Sequence, residues 1–126
     1  MQQRSQRGTV AQARGLGAET AACQALDRDG WTILARRLRT AAGEIDIVAD
    51  RDGLLAIVEV KSRPNLAEAA AALTGRQKTR LLAAADIILG EHPDWGAQGV
   101  RFDVLVVDAA GQVRRIADAF RREDPA

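Results

Sequence analysis

Apolar residues in this chain switch between two periods. From Gly15 to Asp29 they recur at helical spacing, with Leu16, Ala22, Cys23 and Leu26 on one stripe, which predicts an amphipathic helix. Gly30 follows where a helix-ending glycine belongs. Trp31 to Leu38, Glu44 to Ala49 and Leu54 to Lys61 then read as three strands. The third is apolar at almost every position up to Val58, the pattern of a central strand covered on both faces. Pro64 closes it, and the Ala-rich stretch Asn65 to Leu73 reads as a loop with one helical turn. Thr74-Gly75-Arg76-Gln77 has the spacing of a capping box. It opens a helix to about Leu89 that turns Leu81, Ala85, Ile88 and Leu89 toward the core. A loop over Gly90 to Gly99, a strand over Phe102 to Asp108, a turn at Ala109 to Gln112 and a short strand over Val113 to Ile116 complete the order.

Helix, three strands, helix and two strands predict an α/β fold. A meander followed by a right-handed crossover places the fourth strand parallel to the third, on its free side. The expected sheet is mixed, in the order 1-2-3-4-5, with helices on both faces.

The hairpin between the second and third strands carries the candidate chemistry. Asp52-Gly53 signals a two-residue type I′ turn. Counting back from Arg51 opposite Leu54, Asp46 falls opposite Glu59, on one face, with Cβ atoms roughly 4.5–5.5 Å apart. Two facing carboxylates need a counter-charge. Lys61, two residues after Glu59, shares that face. Mg²⁺ or Mn²⁺ is the other natural answer, since both favour hard oxygen ligands. The same register sets Glu44 opposite Lys61, so an ordinary cross-strand ion pair is the competing account of the lysine.

Other residues leave alternatives open. Glu19 falls inside the apolar stripe of the first helix, where a carboxylate is paired or coordinates something. Lying at the stripe's edge and pairing with an arginine is an equal alternative for it. Asp103 can reach the site or pair with Arg101, and the ion pair is favoured. Gln77, Lys78 and Arg80 lie in the first turns of the second long helix, where a helix end can approach a phosphate. His92 reads as a surface loop histidine beside Pro93, and Cys23 as a core residue.

Composition narrows the classes. The 126 residues fit one domain. Residues 1–13 are polar and Arg-dotted and read as a flexible arm, and residues 120–126 as a frayed tail. No apolar run nears the ~20 residues of a membrane-spanning helix, so no membrane partner is expected. The single Cys and single His remove disulfides, thiolate zinc clusters and His-pair catalysis, and fit a cytoplasmic setting. With two Trp, two Phe and no Tyr, a base-stacking RNA module is disfavoured. Net charge is only +1, yet arginines cluster at 36–39, 76–80, 114–115 and 121–122, and local clusters can hold phosphates.

Glu19, Gly43-Glu44-Ile45-Asp46, Val58-Glu59-Val60-Lys61-Ser62-Arg63, Lys78 and Arg101-Phe102-Asp103-Val104 together resemble the YraN-type family of small bacterial predicted endonucleases, from about Gly15 to Val107. Beyond it lies the restriction-endonuclease-like superfamily with its PD-(D/E)xK motif. Ile45 stands where that motif's proline would be. Archaeal Holliday-junction resolvases share a similar layout. The resemblance implies a metal-dependent endonuclease acting on DNA, with branched or damaged DNA as the class of substrate, or else a catalytically silent nuclease-fold accessory that binds DNA. It implies Asp46 and Glu59 as Mg²⁺ or Mn²⁺ ligands with the Val60 carbonyl as a third, and Lys61 as the residue orienting water or stabilising charge. Glu19 would bind a second metal, and Arg63, Gln77 and Lys78 would grip neighbouring phosphates. The resolvase likeness also raises a homodimer, although no stripe along the chain marks an interface.

Overall fold

The computed structural model describes residues 17–124. Its elements are helix α1 over 17–28, strands β1 (Thr32–Thr40), β2 (Gly43–Arg51) and β3 (Leu54–Ser62), helices α2 (Leu66–Ala72) and α3 (Gly75–Glu91), and strands β4 (Val100–Val107) and β5 (Val113–Phe120). The arm expected over 1–13 lies outside the described residues.

The β2–β3 turn forms as its residues dictate. Asp52 and Gly53 take φ of 52° and 87°, the paired positive values of a type I′ turn. The register then follows Arg51↔Leu54 through to Ile47↔Val58. The crossover through α2 and α3 sets β4 parallel to β3, and the five strands run in the order β1-β2-β3-β4-β5.

Two apolar layers cover the sheet. On one face Ala22 and Leu26 of α1 pack with Trp31, Ile47, Ala49, Ala56, Val58 and Leu105. On the other, Leu81, Ala84, Ala85 and Ile88 of α3 and Ala69 of α2 pack with Ile45, Leu55, Ile57, Val104 and Val106. Leu55 to Val58 are essentially inaccessible, which makes β3 the doubly covered central strand.

Two elements differ from the sequence expectation. Asn65 to Leu73 holds a two-turn helix rather than a loop with one turn. Asn65 caps it by accepting the Glu68 N–H at 2.9 Å, and Ala69 and Leu73 enter the core. Short Ala side chains bury little area, so the stretch carries no apolar stripe to reveal it. β5 runs four residues beyond Ile116, to Phe120. Arg114, Arg115 and Asp118 mask its alternation because it is an edge strand with one open face. Phe120, expected at the start of a frayed tail, is 4% exposed and stacks on Phe102 with ring centroids 4.7 Å apart. α3 begins at the predicted capping box, in which Gln77 N–H donates to Thr74 Oγ1 at 3.2 Å.

Candidate active site

β2 and β3 part company at the Ile47↔Val58 pair. Toward its N-terminus β2 continues with β1 alone, through Leu38↔Ile45 and Arg39↔Glu44. Toward its C-terminus β3 continues with β4 alone, from Glu59↔Val104 to Ser62↔Val107. The sheet therefore opens into a V, with Asp46 on one arm and Glu59, Val60 and Lys61 on the other.

A break in side-chain alternation marks the opening. Ile45 and Val48, three residues apart, lie in the same apolar layer, as do Ala35 and Leu38 on β1. A regular strand would send them to opposite faces. Arg37, inside that β1 interval, has φ 51°. The β1–β2 ribbon is thus kinked beside Asp46. The expected direct ladder pairing of Asp46 with Glu59 is corrected accordingly: the register is right, but the ladder ends one pair earlier. Asp46 instead bridges the gap with its side chain, its Oδ2 accepting the Val60 N–H at 2.8 Å.

The two carboxylates still meet. Glu59 is 7% exposed. Burial, the adjacent Asp46 charge and a hydrogen bond shared with Asp46 push its pKa up to about 7, against the opposing pull of Lys61 and Arg80. Lys61 Nζ lies 3.8 Å from Glu59 Oε2, with the lysine side chain 12% exposed. Glu44 pairs with Arg39 at 3.7 Å, so the competing Glu44–Lys61 pair does not account for the lysine.

The other predicted residues occupy different surroundings. Glu19 packs on the α1 side with Arg36 and Arg37, each 3.4 Å from a carboxylate oxygen. Its Oε1 is buried and lacks a well-directed hydrogen bond, because the nearby Arg36 contact is long. Val58 and Val60 face that α1 layer, so alternation turns Glu59 and Lys61 to the α3 side. Asp103 forms the favoured ion pair, accepting two bonds from Arg101 at 2.9 and 2.8 Å. Gln77 is engaged in the helix cap, its Oε1 taking the Thr74 N–H at 3.4 Å. Lys78 leans over the Phe120 ring at 6.0 Å. Arg63 is half-buried and lines a cleft of about 760 Å³ at the ends of β3 and β4. His92 stacks on Trp95 with centroids 3.6 Å apart. Cys23 is half-buried against the α1 layer, and burial raises its pKa.

Arg80, expected in the first turns of α3 where a phosphate can approach, is tied by the structure to the site itself, a link that the sequence did not show. It sits on α3 one turn after Gln77, and its charge is felt at Glu59. The available signal was Gly43, whose meaning depends on a side chain 37 positions away.

The donor set fits a hard divalent ion. Asp46 and Glu59 offer neighbouring carboxylates. The Val60 carbonyl leaves β3 on the same edge as its N–H, facing Asp46. Among the described residues no group of three or more His, Cys, Asp and Glu gathers as a metal cage. The contacts of Glu19 are with Arg36 and Arg37. Open positions suit Mg²⁺, which keeps several waters.

The sequence pattern of a family described as "Uncharacterised protein family UPF0102" matches residues 18–107. The chain belongs to the UPF0102 family. This is the YraN family that its motifs resemble. It is 65% identical over 118 residues to a UPF0102 protein of Granulibacter bethesdensis, covering 94% of this chain and 75% of that one. UPF0102 proteins of Azorhizobium caulinodans and Rhodopseudomonas palustris are each 46% identical, over 93% and 84% of this chain and 89% and 82% of their own lengths. The matched UPF0102 span contains Glu19, Asp46, Glu59, Lys61 and Arg80. Among the described residues no helix is long and apolar enough to cross a membrane.

Proposed function

We propose that this UPF0102 chain is a Mg²⁺- or Mn²⁺-dependent endonuclease of restriction-endonuclease-like type that hydrolyses DNA phosphodiester bonds, with branched or damaged DNA as the favoured class of substrate. The observation that carries this reading is the carboxylate pair of buried Glu59 and half-buried Asp46 beside Lys61, set where β2 and β3 diverge.

Burying Glu59 beside the half-buried Asp46 is costly even with Lys61 3.8 Å away, and Glu59 responds by holding its proton to about pH 7. A divalent cation relieves both the burial and the repulsion. When bound, it supplies polarisation of a phosphate oxygen and a water of lowered pKa. Asp46, Glu59 and the Val60 carbonyl would hold it. Asp46 is kept in place by the Val60 N–H, so its second oxygen is presented in a fixed direction. Lys61, two residues from Glu59 on the same face, orients the attacking water or stabilises charge developing on the phosphate. The strand opening gives a DNA backbone access that a closed ladder would deny.

The test pairs calorimetry with cleavage. Mn²⁺ should bind the wild type and bind Glu59→Gln far more weakly. Purified protein should cut at least one of linear, nicked, flapped or four-way DNA with metal, and Glu59→Ala should not. Metal-independent DNA binding with no cleavage of any substrate would favour the silent accessory instead. Failure to bind either Mn²⁺ or DNA would overturn the proposal.

A further inference from the structure

Gly43 opens β2 with φ of 135°, a value that L side chains avoid. The Thr40 turn holds it there: Thr40 Oγ1 accepts the Ala42 and Gly43 N–H groups at 3.1 Å each and donates to the Gly43 carbonyl at 2.7 Å. The space a Cβ would fill is taken by Arg80. A Cβ on Gly43 would lie 2.7 Å from Arg80 Cδ and 3.1 Å from both Cγ and Nε. The Arg80 side chain therefore lies flat across the backbone three residues before Asp46, running from α3 over the start of β2.

The surroundings of Arg80 differ from those of most arginines here. Arg36, Arg37, Arg39, Arg101, Arg115, Arg121 and Arg122 each pair with a carboxylate. Among the described residues no carboxylate lies within 4 Å of the Arg80 guanidinium. The residue is exposed, and the acid on which its charge acts is Glu59. A guanidinium that is directed, accessible and lacking a protein anion has a fork of donors matched to phosphate oxygens.

We propose that Arg80 is a positioning residue that binds a backbone phosphate next to the one seated at Asp46 and Glu59, and that Gly43 is the spacer that lets it lie there. This inference rests on the nuclease reading above, because it takes the anion to be DNA. Arg80 would fix the register of the strand without carrying sequence information, as phosphate contacts do.

The experiment is DNA binding by fluorescence anisotropy in EDTA, where hydrolysis does not intervene, over a range of NaCl. Arg80→Gln should weaken binding by about tenfold and flatten the slope of log K against log salt by about one. Arg80→Lys should keep most of that slope, and melting curves should match the wild type. The control is Arg114→Gln, an equal charge change at an exposed position on β5, which should move binding little. Gly43→Ala should act in the same direction as Arg80→Gln. Arg80→Gln behaving as Arg114→Gln, in a protein that binds and cuts DNA, overturns the role of Arg80 alone. A wild type that binds no DNA at any salt, with or without Mn²⁺, overturns the nuclease reading together with it.

Discussion

The Val60 N–H of β3 donates to Asp46 Oδ2 at 2.8 Å, so a side chain stands where the β2–β3 ladder would have supplied a backbone carbonyl. This one bond satisfies a donor orphaned by the strand opening, and it also fixes a carboxylate beside Glu59. Architecture and candidate chemistry therefore share an atom, which shapes what substitutions at Asp46 should do.

Asp46→Asn keeps an acceptor for Val60 and removes the repulsion with Glu59. Asp46→Ala also removes the charge but leaves a partly buried N–H without its partner, a loss of about 1–3 kcal/mol. Without metal, the Asn variant should be more stable than the Ala variant by about 1–2 kcal/mol in urea unfolding at neutral pH. Both should lose Mn²⁺ binding. Equal unfolding midpoints would show that the bond contributes nothing.

The raised pKa of Glu59 has a definite sign in stability. Its folded value is about 7 against an ordinary 4.5, so between those pH values the folded protein holds a proton that the unfolded chain has released. Metal-free stability should therefore fall as pH rises from about 4.5 through about 7 and level off above. The contribution is on the order of 2–3 kcal/mol at most. The difference between wild type and Glu59→Gln isolates it from other groups. Saturating Mg²⁺ should shrink the loss, because the cation favours the ionised form. A pH-independent difference would show that Glu59 is not perturbed.

Asp103 is 2% exposed and accepts two bonds from Arg101 and one from the Asp118 N–H at 2.9 Å. Arg101→Met would leave a buried carboxylate with one remaining donor, a loss of about 3–5 kcal/mol. Adding Asp103→Asn should recover part of it, since the uncompensated charge is gone. Thermal melts of the two single variants and the double variant test this. Additive effects would mean that the pair is not coupled.

The tail separates into two parts at Phe120. Phe120→Ala should cost about 3–5 kcal/mol, as expected for emptying a buried aromatic site. Deleting residues 121–126 removes exposed pairs such as Arg122–Asp86 and should cost under about 1 kcal/mol. Urea midpoints for the two variants should differ accordingly, and a mild Phe120→Ala would contradict its place in the core.

Much of this architecture is local in origin and legible in the sequence. Asp52-Gly53 determines a type I′ turn because both positions need positive φ, and the turn sets the register of β2 on β3 from Arg51 to Ile47. The capping box of Thr74 and Gln77 starts α3, and the apolar run from Leu54 to Val58 makes β3 central. α2 stayed hidden because alanines give no stripe, and the end of β5 because Arg114, Arg115 and Asp118 break its alternation on an open edge.

Tertiary structure decided what happens past Ile47. Register counting treats a strand as regular, but the kink at Arg37 and Asp46 lets β1 and β4 draw β2 and β3 apart. That separation converts Asp46 from a ladder partner into a side-chain bridge. The layering of helices then put Glu19 among arginines on the α1 side and brought Arg80 across Gly43 to the Asp46–Glu59 pair. Sequence alone determines which residues can turn, cap and pair with near neighbours, because those preferences act over a few bonds. Which distant charges share a desolvated space depends on how whole layers pack, and only the folded chain brings them together.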